Sequence, residues 1–278
     1  MLIRIISAIV AIGILIPILF LSHTAVYPIA LAILAVATVI EICGALKFLK
    51  KWYYLVPSIA YAVAMPTVMY FGFRDKLTAF AIAAGISLLY VLSLFSVTVL
   101  TNGKEKYSGV SQLMIGVIYT TAAFTALAFL RKMENGVYIF GLAFLGPWIT
   151  DTMAYFVGRL LGRHKLCPEI SPKKTIEGSI GGTVFGSLSF LLYGFIIQLI
   201  SDLTPNYLML AICGLFVAFI AQIGDLTASL IKREHSVKDF GNIMPGHGGV
   251  FDRFDSVIAA SLFLVLWCVL PQNFALFY

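Results

Sequence analysis

The sequence predicts an all-α, polytopic integral membrane protein with about nine transmembrane helices, on three observations. Of the 278 residues, 60% are hydrophobic and only 12% charged, with a mean hydropathy of +0.98. A soluble domain is nearer half apolar and a quarter charged, so the excess must face lipid. The apolar runs recur at roughly the 20-residue length that a helix needs to cross the hydrocarbon core. Strand-like alternation is absent, and the runs are too long for the strands of a barrel.

The runs place spans at 5–22, 25–46, 52–73, 77–100, 110–130, 136–157, 179–200, 207–231 and 254–270. Arg4 ahead of the first run has the look of a signal peptide. The run is longer than a usual signal core and no small-x-small cleavage site follows, so a retained helix is expected. No Pro/Gly/Ser-rich linker separates two domains, and one membrane domain is expected over 1–278. Within it, helices up to residue 130 have no role assigned, and 136–270 carries the polar loops. Cys43, Cys167, Cys213 and Cys268 form no C-x-x-C pair and are expected to be small hydrophobes.

Lysine and arginine set the orientation. With a cytoplasmic N-terminus, fifteen of the 19 lie on inside segments, and Arg74, Lys76, Arg131 and Lys132 lie outside. The expectation is a cell-membrane protein with its N-terminus cytoplasmic and its C-terminus outside. Both long polar loops then face the cytoplasm. Membrane lipid is an expected partner and nucleic acid is not.

Glu41, Asp151 and Asp225 sit within apolar spans, and Asp252 and Asp255 open the last one. A charge near the bilayer centre costs roughly 2.5–3.5 kcal/mol, which makes such residues functional candidates. Glu41 has no partner pattern around it and is read as a snorkelling or hydrogen-bonded carboxyl near a helix end.

Residues 158–178 read GRLLGRHKLCPEISPKKTIEG, with five basic residues, and lead into a helix that opens Gly178-Ser179-Ile180-Gly181-Gly182. A glycine-rich helix N-terminus behind Lys173 and Lys174 suits a phosphate. Gly178, Gly182 and Gly186 also form a small-xxx-small stripe, which by itself means close helix packing. Both readings stay open from this loop alone.

Residues 225–255 sharpen the choice. If the helix before them continues through Arg233, then Asp225, Ser229 and Lys232 share one face. Asp252 and Asp255 share a face at the start of the last helix, and between lies Pro245-Gly246-His247-Gly248-Gly249, which is no regular helix. Three carboxylates from two helix ends are typical oxygen ligands for Mg²⁺, with Lys232, Arg233, Lys238 and Arg253 placed to surround phosphates. Helix capping would account for Asp252 but not for Asp225 and the lysines together. His247 is read equally as a phosphate contact or a brace of the loop.

The pattern Ser229, Lys232-Arg233, Lys238-Asp239, Pro245 to Gly249, Asp252-Arg253, Asp255 resembles the signature of the phosphatidate cytidylyltransferase (CDP-diacylglycerol synthase) family. Asp151 with Tyr155, and the run Ser171-Pro172-Lys173-Lys174-Thr175 followed by Glu177-Gly178, are similar to further family elements. The first 130 residues resemble the family only in being apolar spans.

The resemblance implies transfer of the cytidylyl group of CTP to phosphatidate at the cytoplasmic face, giving CDP-diacylglycerol and pyrophosphate for phospholipid synthesis. It implies Mg²⁺, a second cation such as K⁺, and a homodimer. On this reading Asp225, Asp252 and Asp255 hold the metal, and Lys232, Arg233, Lys238 and Arg253 neutralise phosphate charge, with Asp239 and His247 beside them. Ser171, Lys173, Lys174 and Thr175 clamp the nucleotide phosphates, with Glu177 orienting a basic side chain. Asp151, Tyr155, Gly178, Ser229, Gly248 and Gly249 complete the substrate contacts. Two other readings use similar parts. A CTP-dependent lipid kinase would attack the γ-phosphorus instead. An ion-coupled transporter would place its site near the bilayer midplane between repeats, whereas here the polar residues gather at one face.

Overall fold

The computed structural model describes residues 13, 17–72, 75–243 and 248–278. Most of the expected first span, along with Arg4, Arg74 and His247, lies outside the described residues. The elements run α1 (Val26–Ala45), α2 (Trp52–Phe71), α3 (Lys76–Leu100), α4 (Tyr107–Lys132) and α5 (Gly136–Leu161). There follow β1 (Lys165–Cys167), β2 (Ser171–Thr175), α6 (Ile176–Ile200), α7 (Tyr207–Glu234) and α8 (Phe251–Cys268). The protein is an all-α polytopic membrane protein, and among the described residues seven helices, α1 to α7, are long and apolar enough to cross a bilayer. The eighth, α8, carries Asp252, Arg253 and Asp255 at its start.

The sequence reading leaves residues 158–178 without regular structure. The chain there forms a short antiparallel hairpin, with Lys165 opposite Thr175 and Cys167 opposite Ser171. Pairing satisfies backbone groups that an irregular loop would leave to water. The Lys165 ammonium also donates across the hairpin to the Pro172 carbonyl at 2.7 Å.

The chain divides into two compact units, Met1–Phe129 with Glu234–Arg253, and Leu130–Arg233 with Phe254–Tyr278. The expected motif is thereby shared out: residues 234–253 group with the N-terminal helices rather than with the helix that precedes them.

In the first unit α2 and α3 are joined by a row of hydroxyl pairs. Tyr54 meets Thr98 at 2.9 Å, Ser58 meets Tyr90 at 3.0 Å and Tyr61 meets Ser87 at 2.9 Å. Between lipid-exposed helices the hydrophobic effect offers little, so hydrogen bonds and close packing carry association. The outer side of α3, with Leu77, Leu88, Leu89, Leu92 and Val99, stays exposed, as a lipid-facing surface should. Asp75 caps α3, its carboxylate accepting the Thr78 N–H at 2.8 Å, and those bonds hold its carboxyl below the usual range.

In the second unit α5 and α6 pack through the predicted glycine stripe. A Cβ at Gly178 would stand 2.6 Å from the Ala154 carbonyl oxygen, and one at Gly182 would stand 2.8 Å from that of Thr150. The stripe is therefore a packing surface. The C-terminal segment returns to the loop before α7, where Thr204 and Tyr278 exchange two backbone hydrogen bonds of 3.0 Å.

Candidate active site

α7 does run through Arg233, so Asp225, Ser229 and Lys232 lie along one helical face of the second unit. Beside that face, Gly224 brings α7 close to α8, since a Cβ on it would stand 2.6 Å from both the Asp255 carbonyl oxygen and the Ala259 methyl. Gln222 fixes α7 on its other side, donating to the Thr183 hydroxyl at 2.9 Å and to the Ser179 carbonyl at 3.3 Å.

Around this face the second unit gathers an acidic cluster. Lys174, from β2, forms an ion pair with Oδ2 of Asp225, and its ammonium is buried. Asp151, from α5, lies within reach of the Ser256 hydroxyl and close enough to Asp225 and Lys174 to feel both charges. Asp255 is buried, accepts the Ser256 N–H at 2.8 Å, and feels the charges of Asp225, Asp151 and Lys232. Carboxylates gathered in this way repel one another, and cations must balance them.

The hairpin is braced from two sides. Thr175 caps α6 by accepting the Gly178 N–H at 3.1 Å. Glu177 turns back to the start of the hairpin, accepting the Arg163 N–H at 3.1 Å and meeting Nδ1 of His164 at 2.6 Å. The side chain it orients is thus an imidazole rather than a lysine or arginine. Arg233 donates from Nε to the Ile170 carbonyl at 3.3 Å, so it holds the hairpin turn. Tyr155 is exposed, and its hydroxyl accepts from Arg159 at 3.2 Å. Lys173 is exposed beside buried Thr175, and Ser171 is half-buried.

The remaining motif residues belong to the first unit. Lys238, Asp239 and Arg253 are exposed. Gly248 has φ +88°, a conformation that only glycine adopts without strain. Asp252 is buried, and its Oδ2 accepts the Phe240 N–H at 2.9 Å and the Gly249 N–H at 3.0 Å.

These positions bear on the expected metal. Among the described residues no group of three or more acidic, histidine or cysteine side chains is arranged to hold a metal ion. Mg²⁺ usually takes only one or two carboxylates and fills its shell with water and phosphate oxygens. Asp225 and Asp255, with Asp151 beside them, fit that need. Asp252 fits it less well, because backbone amides already engage one of its oxygens.

Comparison with known proteins decides the family. A model of the cytidylyltransferase family matches residues 2–270, nearly the whole chain. This chain belongs to the cytidylyltransferase family. Among its relatives, the phosphatidate cytidylyltransferase of Bacillus subtilis (strain 168) is 37% identical over 228 residues, 81% of this chain and 78% of that protein. That of Staphylococcus haemolyticus (strain JCSC1435) is 34% identical over 257 residues, 91% of this chain and 94% of that protein. The family match takes in the N-terminal helices, which the sequence motifs left without a role.

Two contacts escaped the sequence motifs. Ser256 follows Asp255 directly and is an ordinary residue in an apolar run; nothing in its spacing marks it. Glu41 stood out as an acid within a span, but its partners, Val250 and Phe251, lie 209 and 210 residues away in the chain.

Proposed function

We propose that this protein transfers the cytidylyl group of CTP to phosphatidate, releasing pyrophosphate and leaving CDP-diacylglycerol in the membrane. The observation that carries this reading is the cluster of Asp151, Asp225, Asp255, Lys174 and Lys232 in a chain of the cytidylyltransferase family. A phosphate monoester oxygen of phosphatidate attacks the α-phosphorus of CTP. The new P–O bond forms as the bond from the α-phosphorus to the oxygen that bridges the α- and β-phosphates breaks, and that oxygen leaves with the pyrophosphate. Phosphatidate is ionised near neutral pH, so its oxygen needs no base to remove a proton.

Two anions must meet, and catalysis of this kind is mostly positioning and charge stabilisation. Asp225 and Asp255 would hold Mg²⁺, which supplies positive charge to the phosphates. Lys232 adds charge along the same face of α7. Lys174 balances Asp225 and, with exposed Lys173, directs the hairpin toward phosphate oxygens. Ser256 holds Asp151 in place. The acyl chains stay among the membrane helices, which accounts for a nucleotidyl transfer carried out by so apolar a chain. The distribution of lysine and arginine supports a cytoplasmic N-terminus, with both polar loops on the side where CTP is. A homodimer and a second cation beside Mg²⁺ belong to the same reading.

Purified protein given phosphatidate and CTP labelled in the cytosine ring should carry label into the lipid phase and release pyrophosphate. Transfer of label only from the γ-phosphate would make the protein a lipid kinase and overturn the proposal.

A further inference from the structure

Glu41, in the last two turns of the first unit's apolar α1, is only 4% exposed. A carboxylate in such a helix is costly to insert unless polar partners meet it. Its partners are two consecutive backbone amides at the start of α8. The Val250 N–H donates to Oε1 at 2.8 Å and the Phe251 N–H donates to Oε2 at 2.8 Å. The first amides of a helix have no acceptor within it, and a carboxylate there also meets the positive end of the helix dipole. Glu41 is thus a helix cap supplied from a distant helix rather than from the chain just before α8.

The loop is shaped to fit it. A Cβ at Gly249 would stand 2.6 Å from both carboxylate oxygens of Glu41, and a Cβ at Gly241 would stand 2.6 Å from Oε1. Both glycines therefore let backbone lie directly against the carboxylate. Asp252 holds the same loop from inside, through the amides of Phe240 and Gly249. Amides 249, 250 and 251 are shared out in turn, the first to Asp252 and the next two to Glu41.

We infer that Glu41 is a positioning residue for the reaction: it seats Gly241 and the stretch from Gly249 to Phe251, and with them the motif residues Lys238, Asp239, Gly248 and Arg253. The inference rests on the cytidylyl-transfer reading and gives α1 a part in it. Both carboxylate oxygens of Glu41 are engaged by backbone amides. It acts through the loop, whose register against α1 it determines.

The test uses the full-length protein in detergent. Glu41→Gln keeps the volume, removes the charge and turns one acceptor into a donor facing an N–H. It should lower kcat/KM for CTP by about tenfold or more, because small misplacements of reacting groups cost that much. KM for phosphatidate should stay near wild type, while the thermal midpoint falls modestly, as expected when two buried charge-assisted hydrogen bonds are weakened. Gly241→Ala crowds the same carboxylate and should bring the same CTP-specific defect. Adding Gly241→Ala to Glu41→Ala should cost nothing further, since the crowded atom is gone.

Wild-type CTP kinetics in Glu41→Gln would overturn the inference. So would a loss that affects both substrates equally in step with a lower thermal midpoint, or defects that simply add in the double variant. If Glu41→Gln gives no folded protein, Gly241→Ala decides alone, and unaltered CTP kinetics there would sink the idea. Should the wild type itself place no cytidine in lipid, the cytidylyl-transfer reading falls and takes the inference with it. An active wild type matched by Glu41→Gln removes only the inference.

Discussion

Lys174 and Asp225 form an ion pair that ties the β-hairpin to the polar face of α7. Its neighbour in sequence, Lys173, is exposed. Two adjacent lysines that look alike in the sequence therefore sit in different surroundings, and a division of work between them can be measured. Lys173→Gln should raise KM for CTP several-fold while kcat stays close to wild type, as expected when uniform binding is lost. Lys174→Gln should lower kcat by roughly a hundredfold, the order seen when one preorganised charge is removed. Initial-rate kinetics on both variants check this, and equal effects would refute the division.

The three aspartates expected at the metal should separate in the same way. Asp225→Asn and Asp255→Asn remove charge from the acidic cluster and are expected to abolish turnover or shift its Mg²⁺ dependence to higher concentration, with expression unchanged. Asp252→Asn weakens two charge-assisted hydrogen bonds to backbone and should cost about 1–3 kcal/mol of stability. It should also make the chain next to Phe240 and Gly249 more accessible to protease. Mg²⁺ titrations of activity and thermal unfolding distinguish the classes; a pure Mg²⁺ effect in Asp252→Asn would restore it to the ligand set.

The glycine stripe makes a packing prediction. Gly182→Ala puts a methyl against the Thr150 carbonyl and the Ala154 methyl, where backbone cannot give way. Overpacking of this kind costs about 1–3 kcal/mol, and the thermal midpoint should fall accordingly. Gly85→Ala in α3 meets nothing within 4 Å and should be neutral or slightly stabilising, since alanine favours a helix over glycine. An unaffected Gly182→Ala would mean that α5 and α6 do not rely on this contact.

Topology can be read chemically in a variant without the native cysteines. Single cysteines at Lys104, Lys165 and Ser236 should react with an impermeant thiol reagent only from the cytoplasmic side. One placed in the 202–206 loop should react from outside. Labelling of position 165 from outside would undo both the orientation and the argument from CTP.

Much of the site was legible before any coordinates. Asp225, Ser229 and Lys232 could be placed on one face because a helix repeats every 3.6 residues, a local property. The glycine stripe was legible as a stripe, but not its partner: only the packed α5 shows that Gly178 and Gly182 serve Ala154 and Thr150. The hairpin was missed because SPKKT reads as a basic loop, and its pairing with Lys165–Cys167 depends on a bracing Glu177 and Arg233. Asp252 and Asp255, three residues apart, look equivalent in the sequence. Their separate partners, loop amides for one and the α5–α7 acids for the other, are set by what packs around each.

The sequence by itself determined that this is a helical membrane protein and which residues are candidates for its chemistry. Apolar run length, charge placement and motif spacing are properties of the chain alone. The tertiary structure decided which acids meet, that Lys174 pairs with Asp225 and where Glu41 finds its donors. A buried carboxylate must find donors, but nothing local says where. Glu41 finds its own 209 and 210 residues away, at the first amides of the last helix, and only a folded chain can bring those atoms together.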